Sequence, residues 1–266
     1  MILLSSFLYS TSLELIAVIL LIGIFIFYLL GFRVGNYIKL KYPETKADGI
    51  GPLEGALLGL LSLLLAFTFG ESASRYDSRR ALIVQEANDI GTVILQCDMY
   101  PDSIRTQFRK SLEQYLEVRI AYYDATDETE IKQLLTNGEK IISPIWNSIV
   151  ALSKKTPDFV RDNQMISSIN TMMDVVTTRD ASRLAKVPDL IIYLLIILTL
   201  LGSFIVGYGK KENEKDWIIL TLFSLMTIIT IYTILDLDRP RRGIIQTSTP
   251  HGKMDELRNY FLNNSQ

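Results

Sequence analysis

The sequence predicts an all-α membrane protein: four transmembrane helices, two plus two, with an intervening four-helix bundle. Three observations predict it. Four apolar stretches are long enough to cross a bilayer. The 118 residues from 71 to 188 between the second and third stretches have ordinary soluble composition. Apolar residues in that segment recur at helical spacing, and no strand-like alternation of useful length occurs. Of the 266 residues 48% are hydrophobic, and the mean hydropathy of +0.24 is high for a soluble chain of this size.

The first span, 15–32, is uncharged and lies between Glu14 and Arg33. At about 1.5 Å per residue it reaches about 27 Å, close to the thickness of the hydrocarbon core. A cleaved signal peptide fits less well, because Met1 to Leu13 holds no basic residue and no small-residue cleavage motif follows. The second span, 51–69, carries one charge, Glu54. No strong helix breaker follows before Met99, so this span is expected to continue as one helix of about 47 residues, roughly 70 Å long. The third span is 190–208. The fourth is 217–235, with Trp217 at interfacial depth.

The chain therefore divides into 1–70 (N-terminal tail and spans one and two), 71–188 (a helical bundle outside the bilayer), 189–236 (spans three and four) and 237–266 (a charged C-terminal segment and tail). In the bundle, Pro101, Pro144, Pro157 and Pro188 punctuate the chain. The periodicity predicts helices over 71–99, 102–124, 127–155 and 158–187. One stripe is Ile104, Phe108, Leu112 and Tyr115, continuing through Arg119 to Tyr123. Thr156-Pro157-Asp158 reads as a helix start, with the threonine hydroxyl as cap. An even number of antiparallel helices returns the chain to the membrane face it left, giving a stalk joined to span three at Pro188.

Composition excludes several functions. A net charge of −2 gives no global pull toward nucleic acid. One cysteine, Cys97, forms no internal disulfide, and one histidine, His251, is too little for a zinc site or a histidine-based triad. No enzyme activity, cofactor or metal is expected, and the obligatory partner is the lipid bilayer. The short loops hold Arg33, Lys39, Lys41, Lys46, Lys210, Lys211 and Lys215, whereas the N-terminal tail holds no basic residue. By the positive-inside rule the loops face the cytoplasm of a bacterial inner membrane and the bundle faces the extracytoplasmic side.

Three groups of residues are candidates for function. Gly51, Gly55 and Gly59 recur every fourth residue, extended by Ser62 and Ala66. Such a row packs helices closely, either within the chain or between subunits around a pore. Glu54 beside it is a pore or partner charge, or a glutamate favoured by the helix N-terminus. Arg75 and Arg79 are one turn apart, as are Arg179 and Arg183, and Arg239 follows the last span. Nine basic residues against six acidic ones leave a local positive excess at this membrane face. They form either an anion-attracting ring or a salt-bridged collar, with Glu71 and Arg75 as one pair. Asp236 and Asp238 lie at a depth where charges must pair, and are expected to neutralise collar arginines. Pro240 is expected to end the last span. Thr221, Ser224, Thr227, Thr230 and Thr233 recur every third residue. That spacing drifts by about 60° per step, so they cannot line one straight channel and should bond to carbonyls one turn back.

Asp238-Arg239-Pro240-Arg241-Arg242-Gly243 after the last span, and Glu86-Ala87-Asn88-Asp89-Ile90-Gly91 followed by Pro101, resemble the bacterial bestrophin-like family. The two-plus-two span pattern matches as well, over about 10 to 255. Arg241 departs from the pattern, since relatives often carry an aromatic residue there. The resemblance implies an integral membrane protein with a distant likeness to ring-shaped anion channels. It also implies a cytoplasmic helical domain, opposite to the charge-based orientation. The expected function is an oligomeric, anion-preferring channel passing small anions such as chloride. The alternative is a non-conducting, membrane-anchored interaction or sensor module.

Overall fold

The structure, a computed structural model, describes residues 8, 11–42, 50–210, 217–239, 241, 243–245 and 248–263. The helices are α1 (Leu13–Lys41), α2 (Ile50–Gln96), α3 (Asp102–Asp124), α4 (Glu128–Lys155), α5 (Phe159–Leu184), α6 (Asp189–Gly209), α7 (Trp217–Leu237) and α8 (Ser248–Asn263). By contacts the chain falls into two units. One comprises Met1–Arg75 with Lys186–Arg239; the other comprises Tyr76–Ala185 with Pro240–Gln266.

The first unit contains four helical stretches long and apolar enough to cross a membrane: α1, the first part of α2, α6 and α7. As the absence of breakers predicted, α2 is one unbroken helix of 47 residues. Its apolar part is the least covered, with 11% of the most apolar window buried within the chain against 33% in each of the other three. The core of this unit includes Ile16, Leu20, Ile24, Leu195, Ile231 and Ile234.

Glycine sets the closest approach in this unit. A Cβ on Gly31 would collide with the backbone carbonyl of Phe204, one on Gly35 with that of Tyr208, and one on Gly207 with that of Tyr28. Two backbones in lipid approach this closely only where side chains are absent, and dispersion over the shared face then holds them. The Ser203 hydroxyl adds an interhelical bond, donating to the Ile24 carbonyl at 2.7 Å. The expectation that Gly51, Gly55 and Gly59 would pack helices within the chain is corrected here. A Cβ on any of them meets open space. The small-residue motif that packs inside the chain is Gly31-x-x-x-Gly35.

The second unit contains the later part of α2, then α3, α4 and α5, over a core that includes Ile90, Val93, Phe108, Leu112, Ile149 and Met172. Pro144 sits inside α4. Two sequence expectations shift. Thr156 closes α4, its N–H donating to the Leu152 carbonyl at 2.8 Å. Asp158 is the cap of α5, its carboxylate accepting from Arg161 N–H at 3.1 Å. A carboxylate two residues later satisfies the orphan N–H, so the hydroxyl of Thr156 is not needed there. The C-terminal tail, expected to be a charged segment, contributes α8. Met254 and Phe261 of α8 are buried in this core, and Arg258 pairs with Glu117 of α3.

Alanine at Gly31 should force α1 and α6 apart and cost about 1–3 kcal/mol by overpacking. Alanine at Gly252, which faces open space, should be neutral or gain up to about 1 kcal/mol from helix propensity. Thermal unfolding of the two variants in detergent, followed by circular dichroism, checks the contrast. Equal midpoints would refute the close approach.

Candidate functional site

The end of α7 carries the first cluster. The helix stops at Leu237, and Arg239 N–H returns to the Asp236 carbonyl at 3.0 Å. Asp236 and Asp238 are both buried. The Asp238 carboxylate accepts from Val187 N–H at 2.6 Å and from Arg75 Nε at 3.3 Å. Arg75 also pairs with Glu71 at 3.0 Å, the expected one-turn pair. Arg239 donates to the carbonyl oxygens of Thr11, at 2.9 Å, and of Leu8. This stretch therefore ties α2, α7, the turn before α6 and the N-terminal segment together within the first unit. Pro240 and Arg242, named from the sequence, lie outside the described residues, as do Lys46, Lys211 and Lys215.

The outer face of α2 is the second feature. Leu57 and Leu58 meet α6 at Gly202, whereas a Cβ on Gly51, Gly55 or Gly59 would meet nothing in the chain. Glu54 lies near Gly209 at the end of α6. The Lys39 ammonium caps that end, donating to the Lys210 carbonyl at 2.8 Å. A groove of about 620 Å³ runs between α2 and α7, lined by Ser62, Ala66, Phe69, Phe223, Thr227 and Thr230 among others. The hydroxyls of Ser224, Thr230 and Thr233 bond to carbonyls four residues back, at 2.7, 2.9 and 2.8 Å. They present methyls and methylenes to their surroundings, as the drifting spacing implied.

The second unit holds the third and most charged cluster. Glu86 is fully buried, and its two carboxylate oxygens accept from Arg119 and Arg179. Burial by itself would raise the Glu86 carboxyl, but the two guanidiniums more than reverse this and hold it below the usual value of 4.5. The Tyr122 ring lies 4.3 Å from the Arg119 guanidinium, 4.7 Å from that of Arg241 and 5.4 Å from that of Arg179. These are cation–π distances. The Tyr122 hydroxyl donates to Asp180 at 3.0 Å. Arg183 donates to the same Asp180 at 2.9 Å and to Glu128 at 2.6 Å. Arg241 donates to the Ala125 carbonyl.

The expected collar arginines thus distribute over both units, each held by partners in its own unit. Arg75 and Arg239 serve the first. Arg79 is buried and donates to the Ser182 and Ala185 carbonyls at 3.1 and 2.6 Å. Its positive charge therefore caps the negative end of α5. Arg179 turns inward to Glu86, while Arg183, one turn later, goes to Asp180 and Glu128. The reading of these arginines as an uncommitted cationic ring is corrected, because buried guanidiniums take internal acceptors. Sequence reasoning missed the Glu86–Arg119–Arg179 pairing. Its signal was present: Arg119 continues the apolar stripe of Phe108, Leu112 and Tyr115, and Glu86 stands in register with buried Ile83, Ile90 and Val93.

The family model for the bestrophin-like domain matches residues 41–250. The chain belongs to the bestrophin-like family. It is a membrane protein with four candidate spans. Solved structures agree on the fold. A variant of a bacterial bestrophin homolog from Klebsiella pneumoniae superposes with a TM-score of 0.71 at 12% identity, covering 95% of this chain and 98% of that one. A second crystal structure of a homolog from the same organism gives 0.68 at 12% identity, covering 92% and 96%. A further crystal structure of a membrane protein gives 0.63 at 12% identity, covering 94% and 97%. At this identity the likeness shows the fold alone. A comparison with curated proteins finds no match. In this bestrophin-like chain the Asp-Arg-Pro segment supplies Asp238 and Arg239 to the first unit and Arg241 to the second.

Replacing Glu86 by Gln leaves two buried guanidiniums without their carboxylate and should cost about 3–5 kcal/mol. Because the folded Glu86 is held below 4.5, its stabilisation is complete above that pH and is lost as pH falls through the lowered value. Unfolding midpoints measured from pH 7 down to pH 3 should fall more steeply in the wild type than in Glu86→Gln. Parallel curves would refute the assignment.

Proposed function

We propose that this protein is an oligomeric channel of a bacterial cell membrane, not an enzyme, in which α2 faces the assembly axis and small anions such as chloride are preferred. One observation carries the reading. Gly51, Gly55 and Gly59 form a small-residue row on the least covered spanning helix, and nothing in the chain fills the space beside it. A row of this kind in lipid suits close contact with another subunit or a narrow lumen. Glu54, beside the row in sequence, has its carboxylate near Gly209 at the end of α6. Preference for anions is supported by net formal charge alone, nine basic against six acidic residues flanking the spans on this side, since the guanidiniums themselves take internal acceptors. The basic short loops support placing them on the cytoplasmic side.

A second reading, a membrane-anchored interaction module, is favoured by a different observation. Arg75, Arg79, Arg179, Arg183 and Arg239 are each engaged by internal acceptors. Such a module needs no lumen.

In planar bilayers the purified protein should pass current whose reversal potential follows a chloride gradient. A silent bilayer or a cation-following potential would overturn the first reading. Oxidised Gly55→Cys, with native Cys97 buried, should migrate as disulfide-linked chains. Monomer alone would favour the module.

A further inference from the structure

We propose that the second unit binds a compact inorganic anion beside Arg241, at the guanidinium cluster around Tyr122. Among the described residues, the guanidiniums of Arg119, Arg179, Arg183 and Arg241 gather there with three paired carboxylates, those of Glu86, Glu128 and Asp180, while a fourth, Asp89, lies one turn from Glu86. The paired carboxylates are already committed. Glu86 takes Arg119 and Arg179, and Glu128 and Asp180 both take Arg183. Arg241 is left with a neutral acceptor, the Ala125 carbonyl, and with the face of Tyr122. Arg241 is therefore the guanidinium of this group that pairs with no carboxylate among the described residues.

The donors point the same way. A guanidinium offers five N–H groups, and a half-buried one that meets a single carbonyl has donors to spare. Arg241 is only partly covered, so an ion can reach it from solvent. Burial, with Arg183 and Arg179 as like charges nearby, pushes the Arg241 guanidinium below its usual value, while Tyr122 and Glu128 oppose this. A bound anion would relieve both the missing hydrogen bonds and the repulsion. The planar fork suits a halide or a tetrahedral oxyanion, and no hydrophobic lining recommends a larger ligand. The site is separate from the glycine row at the start of α2 and does not depend on conduction.

The test uses the purified full-length chain and its thermal unfolding midpoint. At fixed ionic strength, sodium gluconate is exchanged stepwise for sodium chloride, and in a second series for sodium sulfate. The wild-type midpoint should rise saturably in at least one series. Arg241→Gln should need at least tenfold more of the same anion for half the rise. Arg241→Lys, which keeps the charge and loses the fork, should fall between them, and it decides the question if Arg241→Gln does not fold. The proposal is overturned if the wild type has one midpoint in gluconate, chloride and sulfate. It is equally overturned if the folded variants respond as the wild type does.

Discussion

A carboxylate removed from water must be held by cations, and in the second unit that constraint falls on Glu86. Its two oxygens draw Arg119 from α3 and Arg179 from α5, so three helices are fixed by one ionised group. The pairing orders more than its members. Arg119 and Arg179 bring their planes to Tyr122, Tyr122 turns its hydroxyl to Asp180, and Asp180 orients Arg183. Leu112 and Tyr115 pack around the ionic centre as ordinary core. An isolated charge at that depth would be prohibitive; a network in which each Glu86 oxygen meets a guanidinium gives the helices one register instead of several.

The first unit answers the same constraint without much charge. Lipid offers no hydrogen bonds, so backbone groups must be satisfied within the helices or between them. Gly31, Gly35 and Gly207 let α1 and α6 meet backbone to backbone, and Ser203 bridges to Ile24. Charge is admitted at the end of α7, where Asp238 meets both Arg75 and a backbone N–H of the turn before α6. Arg239 and Arg241 are two residues apart and bond in different units. A short run of guanidiniums after the last span therefore anchors twice.

Membership in the bestrophin-like family accounts for the two-plus-two order and for the long α2. At 12% identity to the solved structures it says little about which side chains carry function. The particular features of this chain are the open glycine row on α2 and an Arg241 guanidinium paired with no carboxylate among the described residues. Neither depends on the other, and they lie in different units.

The fold class was legible because its signals are local. A span is a matter of length and apolarity. The unbroken α2 follows from the absence of proline between residues 53 and 96, and α3 and α4 follow from helical periodicity. Charged residues resisted sequence reading for the opposite reason. One cannot tell from spacing whether Arg79 faces water or the last carbonyls of α5, because the acceptors lie 103 and 106 residues away. The same holds for Glu86 and Arg179, separated by 93 residues. Likewise Gly31-x-x-x-Gly35 and Gly51-x-x-x-Gly55 look alike as text, yet one packs against α6 and the other is open. The sequence by itself determined the four apolar spans and the bundle helices, though not α8, since those depend on neighbours a few residues off. Only the tertiary structure decided which charges are spent on each other and which small faces remain free, because those partners are brought together by folding.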